Sequence, residues 1–117
     1  MNMCNQKTIS FSDLRDAIIL RTSKWNNGKP CGIEFAAVEL AGEAGEVCNA
    51  VKKLSRLQRG MVGGIDTTEN IAEELADLVI CADLLAMELG INLGAAVANK
   101  FNTTSIKHGF SEQLELK

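Results

Sequence analysis

The sequence predicts an all-α protein, a single domain over residues 1–117 folded as a four-helix bundle. Apolar residues recur at helical spacing along nearly the whole 117-residue chain, which indicates amphipathic helices. One proline and several glycine clusters interrupt this pattern where turns are expected. With 46% hydrophobic and 23% charged residues, the composition is typical of a globular domain. Four such helices joined by short connections form a bundle.

Capping residues and glycine define the first two helices. The first is predicted from about Ser10 to Lys24, because Ser10 and Asp13 have the spacing of a capping box. The segment Trp-Asn-Asn-Gly-Lys-Pro, residues 25–30, then ends it. The second is predicted from about Ile33 to Arg59, with small and aliphatic residues along one side, and Gly60 ends it.

The third helix is predicted from about Thr67 to Leu89 and the fourth from about Asn92 to Lys107, each followed by a glycine. From Leu78 onward the third helix is apolar nearly all the way round, as expected of a helix buried on two sides. In so small a bundle this pattern predicts a subunit interface, so that a homodimer or homotetramer completes the fold. We interpret Asp83, within this apolar surface, as a polar contact across the interface; a supplementary catalytic role is the alternative.

Charge and hydropathy exclude several classes of function. The net charge of −3 and the scattered basic residues argue against nucleic-acid binding, and no apolar stretch reaches the roughly 20 residues that a membrane span requires. The N-terminus lacks the basic and apolar regions of a secretory signal, which predicts a cytoplasmic protein. The ends, about 1–8 and 110–117, are expected to be loosely ordered. No two cysteines of the chain have Cys-x-x-Cys spacing, so all four are expected to be reduced: Cys4, Cys31, Cys48 and Cys81.

Two acidic pairs at helical spacing are the main functional signal. Glu43 and Glu46 lie on the second predicted helix, and Glu74 and Asp77 lie on the third. Carboxylates three residues apart share one face of a helix, so two adjacent helices would bring four oxygen ligands together. This donor set predicts a Mg²⁺ site that recruits a polyphosphate, with Mn²⁺ as a possible substitute. Di-iron and zinc sites are disfavoured because the single histidine, His108, is far from both pairs in sequence.

A solvated acidic surface is the plain alternative, and two features argue against it. Glu39, Glu43 and Glu46 fall within a strip roughly 60° wide at the edge of the apolar stripe. Like charges at this spacing destabilise a helix by a few tenths of a kcal/mol per pair. Gly42 and Gly45 in the same turns cost about 1 kcal/mol each relative to alanine, which suggests a close approach of backbone or ligand.

Three segments, residues 35–47, 73–79 and 89–93, resemble the MazG-like all-α nucleotide pyrophosphohydrolases. They carry the Glu-x-x-Glu helix, the Glu-x-x-Asp helix and a downstream Leu-Gly-Ile-Asn-Leu run. The resemblance extends from about Phe11 to about Gly109. It implies an enzyme that hydrolyses a nucleoside triphosphate, commonly a deoxynucleotide, between the α and β phosphates. The products would be the monophosphate and pyrophosphate, in a house-cleaning role for the nucleotide pool.

The resemblance also implies site residues. Glu43, Glu46, Glu74 and Asp77 would be the catalytic Mg²⁺ ligands. Glu39, one turn before Glu43, is a candidate general base on geometry alone, or else a surface or supporting acid.

Substrate-binding residues are predicted outside the acidic pairs. Lys100, Asn102 and Lys107 resemble positions that the family uses near the phosphates and sugar, although a lysine late in a helix also suits the helix dipole. In similar proteins a tryptophan in the region of Trp25 stacks on the base; a hydrophobic plug between helices is the alternative. Asn49 and Lys53 border the acidic strip, and this position alone makes them candidates for substrate contact. Ordinary solvent contact is the alternative.

The chain departs from the family pattern at two positions. Gly42 stands where many relatives have a second glutamate, so the resemblance leaves the role of Glu39 open. Cys81 stands where many relatives have a tyrosine, so a ring contact to the sugar or base is absent at that position. Two alternatives to an enzyme stay open: a non-catalytic helical module that binds a nucleotide or partner in the acidic groove, and a purely structural bundle. The sequence does not determine how many metal ions bind, whether the oligomer is a dimer or a tetramer, or whether neighbouring subunits share a site.

Overall fold

The computed structural model describes residues 6–64 and 66–117, and its helices agree with the predicted ones to within one residue at each end. The described chain contains four α-helices and no strand, which confirms the all-α fold. The helices are α1 Phe11–Trp25, α2 Ile33–Gln58, α3 Thr68–Glu88 and α4 Leu93–His108.

Local hydrogen bonds set where the helices begin. The predicted capping box is present: the Asp13 amide donates to Ser10 Oγ, and the Ser10 amide donates to Asp13 Oδ2, both at 3.1 Å. Thr67 caps α3 and Asn92 caps α4 in the same manner, by accepting from the amides three residues later. Each of these caps lies one residue before its helix, which explains the one-residue differences at the starts of α1, α3 and α4.

The helix pair α2 and α3 is the largest packing unit of the chain. These two helices share the most extensive contact, α1 packs on α3, and α1 also contacts α4. The axes of α3 and α4 differ by 105° at the short connection between them. The acidic pairs are therefore carried by the two helices that pack most closely.

An ion pair between α1 and α3 corrects the interpretation of Asp83. The Asp83 side chain is 1% exposed and accepts from Arg15 through both oxygens, at 2.9 Å from Nε and 2.8 Å from Nη2. Arg15 Nη2 also donates to the Ile91 carbonyl at 2.7 Å, which ties in the α3–α4 connection. The prediction of a contact across a subunit interface was wrong, because the partner lies in the same chain, on a helix 68 residues away.

A single chain leaves much of its apolar surface exposed. The radius of gyration is 17.2 Å, whereas a compact chain of about 100 residues has about 13 Å. The buried apolar residues of the described chain are one isoleucine and four alanines: Ile18, Ala36, Ala50, Ala86 and Ala98. On α3, Leu75 and Val79 are 46% and 45% exposed, on the helix whose pattern predicts an interface.

No single described helix combines the length and the apolar character needed to cross a bilayer, although α3 and α4 meet that criterion together as a sharply bent pair. Cys31, Cys48 and Cys81 are free thiols, as predicted. Cys4 and the first five residues of the predicted loose N-terminal end lie outside the described residues.

Candidate active site

Three of the four predicted ligands meet between α2 and α3. Glu43 of α2 and Glu74 and Asp77 of α3 each offer a carboxylate oxygen, and these oxygens lie within 4.8 Å of one another. Glu43 and Glu74 are partly buried, and Asp77 is exposed. Glu46 lies outside this acidic triplet, although its charge acts on both Glu43 and Glu74.

Burial and repulsion by neighbouring acids make the carboxyl groups of Glu43 and Glu74 hard to ionise. Burial first, and then the charges of Asp77 and Glu74, raise the pKa of Glu43. Burial first, and then the charges of Glu46 and Asp77, raise the pKa of Glu74. Among the described residues, no lysine or arginine forms an ion pair with these acids. The cluster therefore has an uncompensated negative charge that a cation would neutralise.

The donor set suits a magnesium ion. All of its ligand atoms are carboxylate oxygens, which Mg²⁺ prefers, and two oxygens on one such ion lie at most about 4.2 Å apart. Carboxylate oxygens that already lie within 4.8 Å of one another need only a small side-chain rotation to reach that spacing. Glu43, Glu74 and Asp77 are thus the residues that could hold the ion.

A cavity adjoins the acidic triplet. It has a volume of about 280 Å³, close to the lower end of the roughly 300–1,000 Å³ that small-molecule sites occupy. Asp77 and Glu39 form its acidic edge, and α1 contributes Arg21 and Trp25. Its apolar walls come from three helices: Ile18, Phe35, Ile80 and Leu84.

An unreactive thiol forms part of the cavity wall. The amide and the thiol of Cys31 both donate to Glu88 Oε1, at 3.0 Å and 3.1 Å. Burial and this carboxylate raise the pKa of Cys31 to about 11, so the thiol stays protonated at neutral pH. Burial and nearby acids also raise the pKa of Cys81, another residue of the cavity wall. Neither cysteine therefore has the thiolate character of a nucleophile.

Of the other predicted site residues, Trp25 and Glu39 line the cavity. Trp25 is 76% exposed, so it is not a plug between helices. Four other predicted substrate contacts lie outside the cavity wall and stay predictions: Asn49, Lys53, Lys100 and Lys107.

Three residues at or beside the cavity were not predicted as site residues: Arg21, Cys31 and Glu88. Arg21 and Trp25 are four residues apart on one helix, a spacing at which side chains contact, and the Arg21 guanidinium lies 5.7 Å from the Trp25 ring centroid. That pair was visible in the sequence. The contact between Cys31 and Glu88 spans 57 residues and had no local signal.

Asn102 contacts the C-terminal segment. Its Nδ2 donates to the Leu114 carbonyl at 2.8 Å, and its Oδ1 accepts from the Leu114 amide at 2.7 Å. Residues 110–117 have no regular secondary structure, so this pair of bonds fixes the segment beside α4. Substrate binding by Asn102 stays a prediction. The Asn102 side chain would have to break its two hydrogen bonds to Leu114 before it could bond to a substrate.

Replacing Asn102 is expected to release the C-terminal segment. Asn102→Ala removes both hydrogen bonds to Leu114, and an exposed bond of this kind contributes about 1 kcal/mol. The Leu114 amide should then exchange with solvent about tenfold faster, measured by hydrogen exchange in NMR spectra. Asn99→Ala is the control, because within the described chain the Asn99 side chain on the same helix makes no hydrogen bond to Leu114. Unchanged exchange in Asn102→Ala would contradict the contact.

Burial of Glu43 and the repulsion by its acidic neighbours predict a pH-dependent stability of the metal-free protein. Because the pKa of Glu43 is higher in the folded state than its ordinary 4.5, the folded state binds this proton more tightly than the unfolded state. The protonated Glu43 carboxyl thus stabilises the folded state below about pH 4.5. This stability is lost as the pH rises through the raised pKa of the folded state. Glu43→Gln should therefore melt at a higher temperature than the wild type at pH 7 in EDTA, and the difference should vanish near pH 4. A lower melting temperature for the variant at pH 7 would contradict the repulsion.

A comparison with known proteins identifies the family. A model of the MazG-like family matches residues 33–117. The matched segment contains α2, α3 and α4 and therefore the whole acidic triplet. It begins later than the resemblance seen in the sequence, so α1 lies outside it, and it continues to the last residue. No curated protein and no solved structure matches the chain. Because the family match spans well over half of the sequence, the chain belongs to the MazG-like family.

Proposed function

We propose that the protein is a Mg²⁺-dependent nucleotide pyrophosphohydrolase. It would cleave a ribo- or deoxynucleoside triphosphate between the α and β phosphates, releasing the monophosphate and pyrophosphate, and would clear unwanted nucleotides from the cytoplasm. Family membership supports a function of the nucleotide-pyrophosphatase type and dependence on a divalent metal. The observation that carries the proposal is the acidic triplet, which has no cationic partner in the described chain and lies beside a cavity.

The acids divide into ligands and a candidate base. Glu43, Glu74 and Asp77 would hold the metal, and Glu46 would join them by a side-chain rotation, since its charge already acts on two of them. When bound, Mg²⁺ neutralises phosphate charge and lowers the pKa of a bound water. Glu39 shares the cavity edge with Asp77, which supports it as the general base that would accept a proton from the attacking water.

The cavity would bind the nucleoside. Its walls are mostly apolar, and Trp25 presents an exposed ring at one side on which a base would stack. Cys81 lines this cavity at the position where many relatives carry a tyrosine. A thiol cannot supply a ring contact, so base and sugar selection here would depend on Trp25 and the aliphatic walls.

We propose that the protein acts as a homodimer or homotetramer. The exposed apolar residues of α3 and the small buried core support burial of these surfaces against a second copy. In such an assembly Lys100, Lys107, Asn49 and Lys53 would reach a site only through rearrangement or from another subunit, because they lie outside the cavity wall of their own chain.

The test is a substrate panel. The purified protein is incubated with Mg²⁺ and with canonical and modified nucleoside triphosphates. The amounts of pyrophosphate and of orthophosphate released are then compared. Pyrophosphate release that EDTA abolishes and Mn²⁺ partly restores is the expected result. Binding without turnover would instead identify a nucleotide-binding module. A folded protein that shows no binding and no turnover of any nucleotide would contradict the proposal.

A further inference from the structure

The cavity beside the acidic triplet contains one cationic side chain among the described residues that line it, Arg21 of α1. The other charged residues of this wall are Glu39 and Asp77. A nucleoside triphosphate carries several negative charges, so it would meet carboxylates at this edge and one guanidinium beside them. A single Mg²⁺ carries two positive charges and would leave part of the phosphate charge uncompensated.

The position of Arg21 leaves its donors available. The guanidinium lies over the Trp25 ring at 5.7 Å from the centroid, a contact that holds the group by cation–π attraction without using its N–H donors in the plane. Within the described residues, Arg21 makes no ion pair and no hydrogen bond through its side chain, although it shares a wall with two acids. By contrast, the guanidinium of Arg15 on the same helix donates to the Asp83 carboxylate and to the Ile91 carbonyl.

The electrostatic surroundings place Arg21 near the acidic triplet. Its charge lowers the pKa of Cys81, the same thiol on which the charges of Glu43, Glu39 and Asp77 act in the opposite direction. Arg21 thus acts on the same point in the cavity as the carboxylates, two of which, Glu39 and Asp77, line the cavity with it.

We infer that Arg21 binds a phosphate group of the nucleotide that occupies this cavity. This inference rests on the proposed function and adds to it a phosphate contact made by α1, outside the segment that matches the family. Its planar fork of N–H donors matches two phosphate oxygens, and its positive charge complements a phosphate group, whereas a base edge is neutral. Trp25 would hold the fork in place, so little side-chain entropy is lost on binding.

The test separates phosphate contact from base contact. Calorimetry measures the affinities of the wild type, Arg21→Met, Arg21→Lys and the matched control Lys24→Met for three kinds of probe, all with Mg²⁺. The probes are inorganic tripolyphosphate, α,β-methylene analogues of the four deoxynucleoside triphosphates, and the four deoxynucleosides. Fluorescence of Trp25, the single tryptophan in a chain without tyrosine, reports whether a probe enters the cavity.

Arg21→Met is expected to weaken binding of tripolyphosphate and of the analogues by about ten- to hundredfold and to leave nucleoside binding unchanged. Arg21→Lys, which keeps the charge and loses the fork, should show an intermediate loss, and Lys24→Met should stay within about twofold of the wild type. Melting temperatures establish that each variant is folded.

Two results would overturn the inference: unchanged affinities in Arg21→Met, or an equal loss for nucleosides and triphosphate analogues, which would assign Arg21 to the base or to Trp25. The outcome is distinct from that of the proposed function. Wild-type turnover with no effect of Arg21→Met contradicts only the inference, whereas the expected binding losses without any turnover contradict only the hydrolase. A wild type that binds none of the probes contradicts both.

Discussion

Glu74→Gln is expected to lower the rate of Mg²⁺-dependent pyrophosphate release by about a thousandfold. Glu74 is one of three residues whose carboxylate oxygens lie within 4.8 Å of one another, and glutamine keeps the size of the side chain while removing its charge. A bound metal contributes several kcal/mol to such a reaction, and each 1.36 kcal/mol is a factor of ten in rate, so loss of one ligand has an effect of about this size.

The chain offers a matched control in the preceding residue. Glu73 is exposed on the same helix and lies outside the triplet, so Glu73→Gln makes the same chemical change one position away. It should retain wild-type activity. Thermal melting provides a reading that does not depend on turnover: Mg²⁺ should raise the melting temperature of the wild type and of Glu73→Gln, and not that of Glu74→Gln. A Glu74→Gln variant that keeps a tenth of the activity would contradict the site.

Asp83→Ala is expected to lower the free energy of unfolding by about 3–5 kcal/mol, because it leaves a charged partner without its counter-ion. Asp83 is 1% exposed and accepts two hydrogen bonds from Arg15, which has a side chain only 22% exposed. Since small domains have a total stability of about 5–15 kcal/mol, this loss is a large fraction of the whole. Urea unfolding followed by circular dichroism measures it.

A double variant separates loss of the pair from loss of one partner. Arg15→Met with Asp83→Leu removes both charges and fills the space with apolar side chains, and it should recover much of the stability that Asp83→Ala loses. If Asp83→Ala lowers the free energy of unfolding by less than about 1 kcal/mol, the ion pair does not have the importance argued for it.

Local features of the sequence account for the agreement in the helices. Ser10, Thr67 and Asn92 cap helices through hydrogen bonds to residues three positions away, and such contacts form between neighbours in sequence. Glu74 and Asp77 share a face for the same local reason, the period of the helix. Caps, period and spacing all act over less than two turns, so they are readable without the fold.

The packing of the helices decided the rest. Asp83 looked like an interface residue because its neighbours in sequence are apolar, yet its partner Arg15 comes from a helix 68 residues away. Asn102 was assigned to the substrate by resemblance, and in the fold its amide holds Leu114. The sequence contained both residues of each pair and no signal that joins them.

The candidate site shows the same division. The sequence by itself determined the all-α fold, the bounds of its helices and the four acidic positions, because hydrogen bonds and side-chain period within a helix are local. The tertiary structure decided that Glu43 meets Glu74 and Asp77 while Glu46 lies outside, and that Arg21 and Glu39 share a cavity wall with Asp77. Those juxtapositions depend on how α1, α2 and α3 pack against one another, which is set by side-chain contacts between segments distant in sequence.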